Sequence, residues 1–576
     1  MERLEAKKIN GHTYYYYSGW GWVNGKCRRL WQKYLGKLED IVQACEGGGP
    51  APSYAEVFQW GLPTALWNET LTANVIGNTD ELCPKRDQGL STGQYLAIAA
   101  INRAMSPCSK RSMWQWFSQT ALLRHLTEAS SAALNSQRFW DHMDRISEQK
   151  ATEIWASIIA ALVAREKLDL SSVSYDGTNF YTFIDTFNTR CEVARRGKNK
   201  QGRCNLRQVS YALFCCADGH LPLFYDIYEG NRNDAKQFPL MLEKFNAFLR
   251  TLHAGRCAPE DTTLIFDKGN NSEDNFGLID TLGLSFVGSV KLDAHKELAL
   301  IPNSDERFAS CEAAGLEGTK AWRVKKTVYG KERVLVVTYN QNLFEAQWLT
   351  VQADIAKALE ELSALAQRLR DRSEGLIKGG QPPTLASVEK QCDHILSRQH
   401  MKRLIKIEIR IGPEAIPRVE HGIIPAALSE IAETYLGKNI IITNREQWSD
   451  ARIIEAYRSQ FIIENVFKDM KDRTHGTWWP MNHWTDSKIR VHGLYCTLAL
   501  LLRGLIWRRI KAAKVNLSMC RLLSELDDLR QVINIYPKKR RQKVQRTQSV
   551  LTRTSELQEN LIAILHLWKE ENGVLG

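Results

Sequence analysis

The chain has 576 residues, 44% hydrophobic and 25% charged, and a formal net charge of +12 at pH 7. This is the composition of a soluble globular protein too long for one ordinary core, so two to four domains are expected, and the excess of Lys and Arg favours a polyanionic partner without demanding one. Thirteen cysteines, an odd number with no Cys-x-x-Cys pair, exclude zinc-ligand spacing and fit a reducing compartment, and no uninterrupted apolar run is long enough to span a bilayer, Gly493 to Leu502 included.

Residues 1 to 10 are charged rather than apolar, which argues against a secretory leader. Residues 11 to 36 alternate aromatics with turns, and Asn24-Gly25 signals a hairpin. Its Tyr, Trp, Lys and Arg could touch DNA, although packing on neighbouring elements is the preferred reading. EGGGPAPS, residues 46 to 53, reads as a surface loop. From Thr92 to Lys167 the period turns helical, with LAIAAINRAM, SMWQWFSQTALLRHL and TEIWASIIAALVAREK as helices. Asp141 and Asp144 fall there on a polar, solvated face.

At residue 170 the period changes. LSSVSYDGTNFYTFID predicts a strand carrying Asp176, then a turn and a return strand. A basic loop, RRGKNKQGR, leads into the strands QVSYALFCCA, with Cys215 and Cys216 as small apolar residues, and LPLFYDIYEG. The helix KQFPLMLEKFNAFLRTLH, the short buried strand TTLIFD ending at Asp267, and the strand LSFVGSV follow. Asp176 is a strand acid beside Gly177, or else a turn-forming Asp-Gly. Asp267 stands at the carboxyl end of a strand, where ligands gather in parallel sheets, or else caps a helix. Asp185 and Asp226 read as ordinary strand-edge acids, and Asp234 as a turn or supporting residue.

Between Val290 and Ser449 lie the strand-like AWRVKKTVYGKERVLVVTY, a helix around DIAKALEELSALAQRLRD, a break at KGGQPPT, and the strands LIKIEIRI and NIIITN. Asp450 to Lys471 then predicts one long amphipathic helix, with Ser449 or Asp450 as N-cap and Gly476 as the stop. Ile462, Ile463, Val466, Phe467 and Met470 share its apolar face, and Tyr457, Gln460, Glu464, Lys468 and Lys471 form a neighbouring stripe. A carboxylate followed by lysines one and two turns on can hold a metal while the lysines hold phosphates. His475, His483 and His492 are unevenly spaced and read as structural hydrogen-bonding residues; Trp478, Trp479 and Trp484 read as core or groove-wall residues, with stacking on an unpaired base as the alternative. Residues 493 to 513 are apolar and helical, and PKKRRQKVQR, Pro537 to Arg546, is a basic run suited to solvation or to phosphate contact.

Tyr457, Glu464 and Lys471 fall at the spacing of the Tyr-Arg-Glu-Lys signature, and the chain resembles DDE transposases of the IS-four type. Gln460 stands where the signature has arginine, with Arg458 close by. WWPMNHWTDSKIRVHGLYCTLALLL is similar to the Pro, His, Thr, Arg-Ile and His pattern that follows the glutamate in a related branch. Asp176 with Thr178, and Asp267, Lys268, Gly269 and Ser272, match the family's first and second aspartate motifs. The resemblance covers roughly residues 170 to 510.

That resemblance implies an α/β fold: an RNase H-like catalytic core, interrupted by a strand-rich insertion domain and preceded by a helical N-terminal region. The expected segments are a small strand-containing unit over 1–90, a helical domain over 91–168, the core over 169–292 and 449–515, the insertion over 293–448, and a basic region over 516–576. It implies Asp176, Asp267 and Glu464 as catalytic ligands of two Mg²⁺ ions, with Mn²⁺ able to substitute, and Tyr457, Gln460, Lys468 and Lys471 as DNA contacts. The expected partners are the terminal inverted repeats of the element, target DNA and a second copy of the chain, in a bacterial or archaeal cytoplasm at the nucleoid, with no membrane. The implied activity is cut-and-paste transposition through strand cleavage and transfer, by way of ends sealed as hairpins. A nuclease without strand transfer, or a non-catalytic DNA-binding derivative, are the alternatives.

Overall fold

The computed structural model of the chain describes every residue except 24, 46–50, 86–88, 199–201, 253–260, 413–414, 539–544 and 568–576, and every side chain of the rest except those at 43, 234 and 235. The Asn24 half of the hairpin signal, most of the glycine loop at 46–53, the Asp234 side chain and most of the basic run at 537–546 therefore lie outside the described set. Two compact units are present, one built from residues 1–68, 112–131 and 509–576, the other from 69–111 and 132–508.

In the first unit the strands Glu2–Ile9, His12–Val23 and Lys26–Gly36 form an antiparallel sheet. The expected hairpin thus gains a third strand from a stretch whose charge concealed its extended pairing. A second sheet joins Tyr54–Gln59 to Arg530–Ile535 and Thr547–Leu551. Segments near both ends of the chain, set apart in the sequence reading, share this sheet. The single helix expected over SMWQWFSQTALLRHL is two short ones, Met113–Phe117 and Leu122–His125. Between them the Gln119 carbonyl and the Ala121 amide pair with Gln59, so the backbone groups a continuous helix would use are committed to a strand.

The second unit is organised by one mixed sheet that has ten strands among the described residues. Its principal strands in chain order are β1 (Ser172–Tyr181), β2 (Arg207–Cys216), β3 (Pro222–Glu229), β4 (Thr263–Ile265), β5 (Ser285–Val290), β6 (Thr319–Val328), β7 (Lys331–Asn340) and β8 (Lys438–Thr443). In space they run β6-β7-β8-β5-β4-β1-β2-β3. β4 is parallel to both β1 and β5, and every other pairing is antiparallel. β2 is buried along nearly its whole length, Cys215 and Cys216 included, as a strand covered on both faces must be.

Alternation along β1 sends Tyr175 to one face, where it meets Phe238 of α1 (Asp234–Leu252) at 5.0 Å between ring centroids. Phe180 goes to the other face and stacks on Trp478 at 4.1 Å. A further helix, α2 (Glu273–Leu282), starts at a Ser272 N-cap and is tied to β7 by the buried Arg333, whose guanidinium grips Asp280 at 2.7 and 3.2 Å.

The stretch expected to form a strand-rich insertion is organised otherwise. Its strongest strands, β6, β7 and β8, extend the main sheet from the β5 edge, the continuous apolar runs of β7 and β8 needing cover on both faces. What stands apart is mostly helical: α3 (Gln341–Ser373), helices Leu385–Ile395 and Pro425–Thr434, and one hairpin of Ile405–Ile411 with Pro417–Ile423. These pack around Val351, Ile355, Leu362, Met401 and Leu404.

The long helix expected over Asp450–Lys471 is two, α4 (Asp450–Arg458) and α5 (Phe461–Lys471). Ser449 is the N-cap, accepting from the Arg452 amide. At the junction the Ser459 hydroxyl donates to the Ala456 carbonyl at 2.6 Å, while the Gln460 and Ile462 amides reach carbonyls only three residues back, on Tyr457 and Ser459. A side chain competing for a ladder carbonyl tightens and bends the helix at this point. α5 ends at Asp472, whose carboxylate accepts from the Thr474 and His475 amides before Gly476 is reached. The helix α6 (Asp486–Ala512) is long and apolar enough to cross a bilayer by length and composition, yet 94% of its most apolar window is buried within the protein.

Candidate active site

The three parallel strands align the site. Ser174 of β1 pairs with Ile265 of β4, and Ile265 with Val287 of β5. Two residues further along each stand Asp176, Asp267 and Ser289, so continued register sets the three abreast at the carboxyl ends of β4 and β5, on one face. The backbone stays extended through Asp267, at φ −83° and ψ 155°, before a tight turn at Lys268–Asn270. Asn271 holds that turn to the sheet by donating to the Ser289 carbonyl at 2.8 Å. Both aspartates are half-buried, and Asp176 also accepts from the Gly177 amide at 2.7 Å.

Glu464 comes from α5, which lays Ile462, Ile463, Val466, Phe467 and Met470 against the sheet and packs on β1 and β2. This is the face of β1 that carries Asp176 and Phe180. Glu464 itself is exposed, as is Lys468 one turn on. Lys471, two turns on, donates to the Thr178 hydroxyl on β1 and stands 5.7 Å from the Phe180 ring. Tyr457 donates its hydroxyl to Ser289 at 2.9 Å. Burial raises the Tyr457 phenol above its ordinary pKa; the Ser289 bond opposes this, and the nearby charges of Asp267 and Glu464 reinforce it. One phenol therefore senses the strand acid and the helix acid together.

Among the described residues, no group of three or more His, Cys, Asp or Glu is gathered tightly enough to hold a metal ion. The Asp176 and Asp267 pair nonetheless suits a hard cation: two carboxylates abreast, with no soft ligand beside them. Glu464 stands exposed on the adjoining helix, not gathered with the two aspartates into a three-acid group.

The remaining residues sort clearly. Gln460 is half-buried at the start of α5. Arg458, the cation nearest the signature position, is committed elsewhere, to the Gly315 carbonyl at 2.8 Å and the Thr319 hydroxyl at 2.7 Å. His492 is fully buried between the Trp478 carbonyl at 2.8 Å and the Tyr495 hydroxyl at 2.7 Å, and His483 lies 3.3 Å from the same hydroxyl. His475 is exposed. Trp478 is core, Trp479 supports Arg473 at 4.0 Å, and Trp484 is exposed. Asp226 pairs with Lys244 at 2.6 Å, and Asp185 accepts from the Phe187 amide at 2.8 Å. Ser289 and Thr178, the hydroxyl partners that fix the helices to the strands, were not singled out as site residues, because their place depends on strand register.

A family model described as the transposase DDE domain matches residues 173–502, more than half of the chain and the whole of this site. None of the curated proteins matches the chain. Among solved structures, the cryo-EM structure of the piggyBac transposase synaptic complex with hairpin DNA is similar at 9% identity and a TM-score of 0.34, over 81% of this chain and 79% of that one. That likeness is too loose to bear on fold or activity.

Proposed function

The chain belongs to the transposase DDE domain family, and from that premise we propose that it is a transposase of the IS-four type, cleaving DNA at the ends of its own element and joining the freed strand to target DNA. The observation that carries this reading is the side-by-side register of Asp176 and Asp267 at the strand ends, with the Glu464 helix packed over the same strand. The order β3-β2-β1-β4-β5, with antiparallel pairs up to β1 and parallel pairs from β1 to β5, supports an RNase H-like core.

In this reading Asp176, Asp267 and Glu464 hold the catalytic Mg²⁺ ions, with Mn²⁺ able to replace them. When bound, the ions supply positive charge for activating the attacking oxygen and stabilising the leaving one. Asp176 and Asp267, fixed on strands, define where the scissile phosphate sits. Tyr457, Gln460, Lys468 and Lys471 line its approach, the lysines neutralising phosphate charge without reading sequence. In cleavage, water oxygen bonds to phosphorus as the bond to O3′ breaks, and O3′ takes a proton. In joining, that 3′-hydroxyl attacks a target phosphodiester and a second P–O bond breaks. A cut-and-paste cycle by a homodimer on bacterial or archaeal DNA completes the proposal.

The test is a strand-transfer assay on labelled element ends with Mg²⁺. Products joined to target DNA are expected from the native chain, and none from Asp176→Asn, Asp267→Asn or Glu464→Gln, each retaining end binding in EDTA. Cleavage without joining would make the protein a nuclease, and binding without cleavage a non-catalytic derivative.

A further inference from the structure

The aromatic-rich N-terminal sheet does not bury its hairpin tip. The first strand pairs with residues 12–19 of the second, and Met1 exchanges hydrogen bonds with Trp20 at 2.7 Å before the pairing stops. Beyond it, Gly21, Trp22 and Val23 pair only with Arg28, Cys27 and Lys26, a two-stranded ribbon projecting past the first strand. Trp22 is 78% exposed, and Lys26, Arg28 and Arg29 are exposed as well.

Charge identifies the partner. Residues 1–37 carry eight Lys or Arg against two acids. Both acids are engaged within the sheet: Glu2 accepts from Tyr17, and Glu5 from Trp20 at 2.8 Å and Gln32 at 3.2 Å, with Arg29 3.6 Å away. Lys26 and Arg28 make no ion pair among the described residues. Strand alternation puts these two on one face of the ribbon with Gly21 and Val23, and the Leu30 side chain lies over Gly21 on that face. Trp22 points to the opposite face. Paired strands about 5 Å apart fit a major groove about 12 Å wide.

We propose that the ribbon of residues 21–23 and 26–28 is a duplex-DNA-binding element that enters the major groove with its Lys26 and Arg28 face. The inference rests on the transposase reading for the identity of the duplex, the element's own ends, but its test does not require catalysis. Full-length Asp176→Asn protein, in EDTA, is titrated against an end duplex and an unrelated duplex at 50–200 mM salt, with and without the pair Lys26→Glu and Arg28→Glu. The expected result is at least about a tenfold loss of end binding at the higher salt and a salt slope flatter by about two. The same charge change at the exposed Lys357 and Lys378 should cost less than about threefold.

Trp22→Ala should keep the salt slope. Unchanged binding by the Lys26 and Arg28 variant overturns the proposal and leaves the active-site reading standing. Loss of binding with Trp22→Ala alone also overturns it, by pointing to the apolar face. Failure of the parent protein to bind any duplex overturns both readings.

Discussion

The Lys471 ammonium donates to the Thr178 hydroxyl, two residues along β1 from Asp176 on the same face. This bond fastens the last turn of α5 to the strand that bears the first aspartate, so Lys471 acts both as a tether and as a charge.

The two roles separate by substitution. Lys471→Ala removes both, and should weaken binding of element ends with a salt slope flatter by about one. Thr178→Val removes the tether alone, and should leave the slope intact while single-turnover cleavage falls about tenfold through loss of helix position. Salt titrations beside single-turnover rates check both; identical slopes in all three proteins would take Lys471 off the phosphate contacts.

Asp176 and Asp267 stand abreast, and like charges so placed repel until a cation arrives. Mg²⁺ or Mn²⁺ should therefore raise the melting temperature of the native chain, by about 1.4 kcal/mol of stability at ten times the dissociation constant. Asp267→Asn should match or exceed native stability in EDTA and show no metal-induced rise. A variant that gains as much from Mg²⁺ as the native chain would place the ion elsewhere.

The candidate acids stood out in the sequence more readily than the architecture did, for a physical reason. Asp176, Asp267 and Glu464 sit in local patterns, a strand acid before glycine, a strand-terminal acid and a helical stripe, that survive in one dimension. Strand register does not, so Ser289 was invisible although it stands in line with both aspartates. The strands of the expected insertion were recognised as strands, but whether β6, β7 and β8 build a new sheet or extend an old one depends on partners 99 to 109 residues apart for β7 and β8. The helix break at Ser459 escaped because every residue from 450 to 471 suits a helix; the hydroxyl bond to Ala456 that accompanies it is a contact the linear pattern does not show.

A buried cationic cluster gives the molecule a pH dependence. Lys110 lies 4.4 Å from both the Phe139 and Tyr495 rings, with no hydrogen-bond acceptor for its ammonium among the described residues, and Arg103 keeps one nitrogen on the Pro480 carbonyl at 2.9 Å. Burial, then the Arg103 charge, lowers the Lys110 pKa well below its ordinary value. Burial lowers His483 and His492 as well, with Lys110 and Arg103 adding to it. The Trp478 carbonyl can only accept, so the His492 proton sits on Nε2 and Nδ1 accepts from Tyr495.

With the folded-state pKa values of His483 and His492 depressed, the unfolded chain binds more protons around and below pH 6.5 and stability rises with pH through that window, while the depressed Lys110 extends the rise toward its ordinary value of 10.5. The urea midpoint should accordingly fall from pH 7 to pH 5. Lys110→Met should raise stability at pH 7 by about 1 kcal/mol, since it removes an unpaired buried cation and keeps the ring contacts. A loss of stability in Lys110→Met would show that the cation–ring contacts outweigh desolvation.

The bend between α4 and α5 sets where Glu464 sits relative to Tyr457, and Tyr457 is pinned to Ser289 in line with the two aspartates. Ser459→Ala removes the hydroxyl that competes for the Ala456 carbonyl and favours a straighter, better-formed helix, worth about 0.5 kcal/mol of stability. Straightening would carry Glu464 away from Asp267 while leaving the lysine charges on α5. Expected are a slightly higher urea midpoint, unchanged end binding in EDTA, and single-turnover cleavage slowed about tenfold or more, since small misplacements of a reacting group are costly. Ser459→Thr, which retains the hydroxyl, should preserve the rate. Equal cleavage by the alanine and threonine variants would mean that the bend is set by packing against the sheet and that the Ser459 bond merely accompanies it.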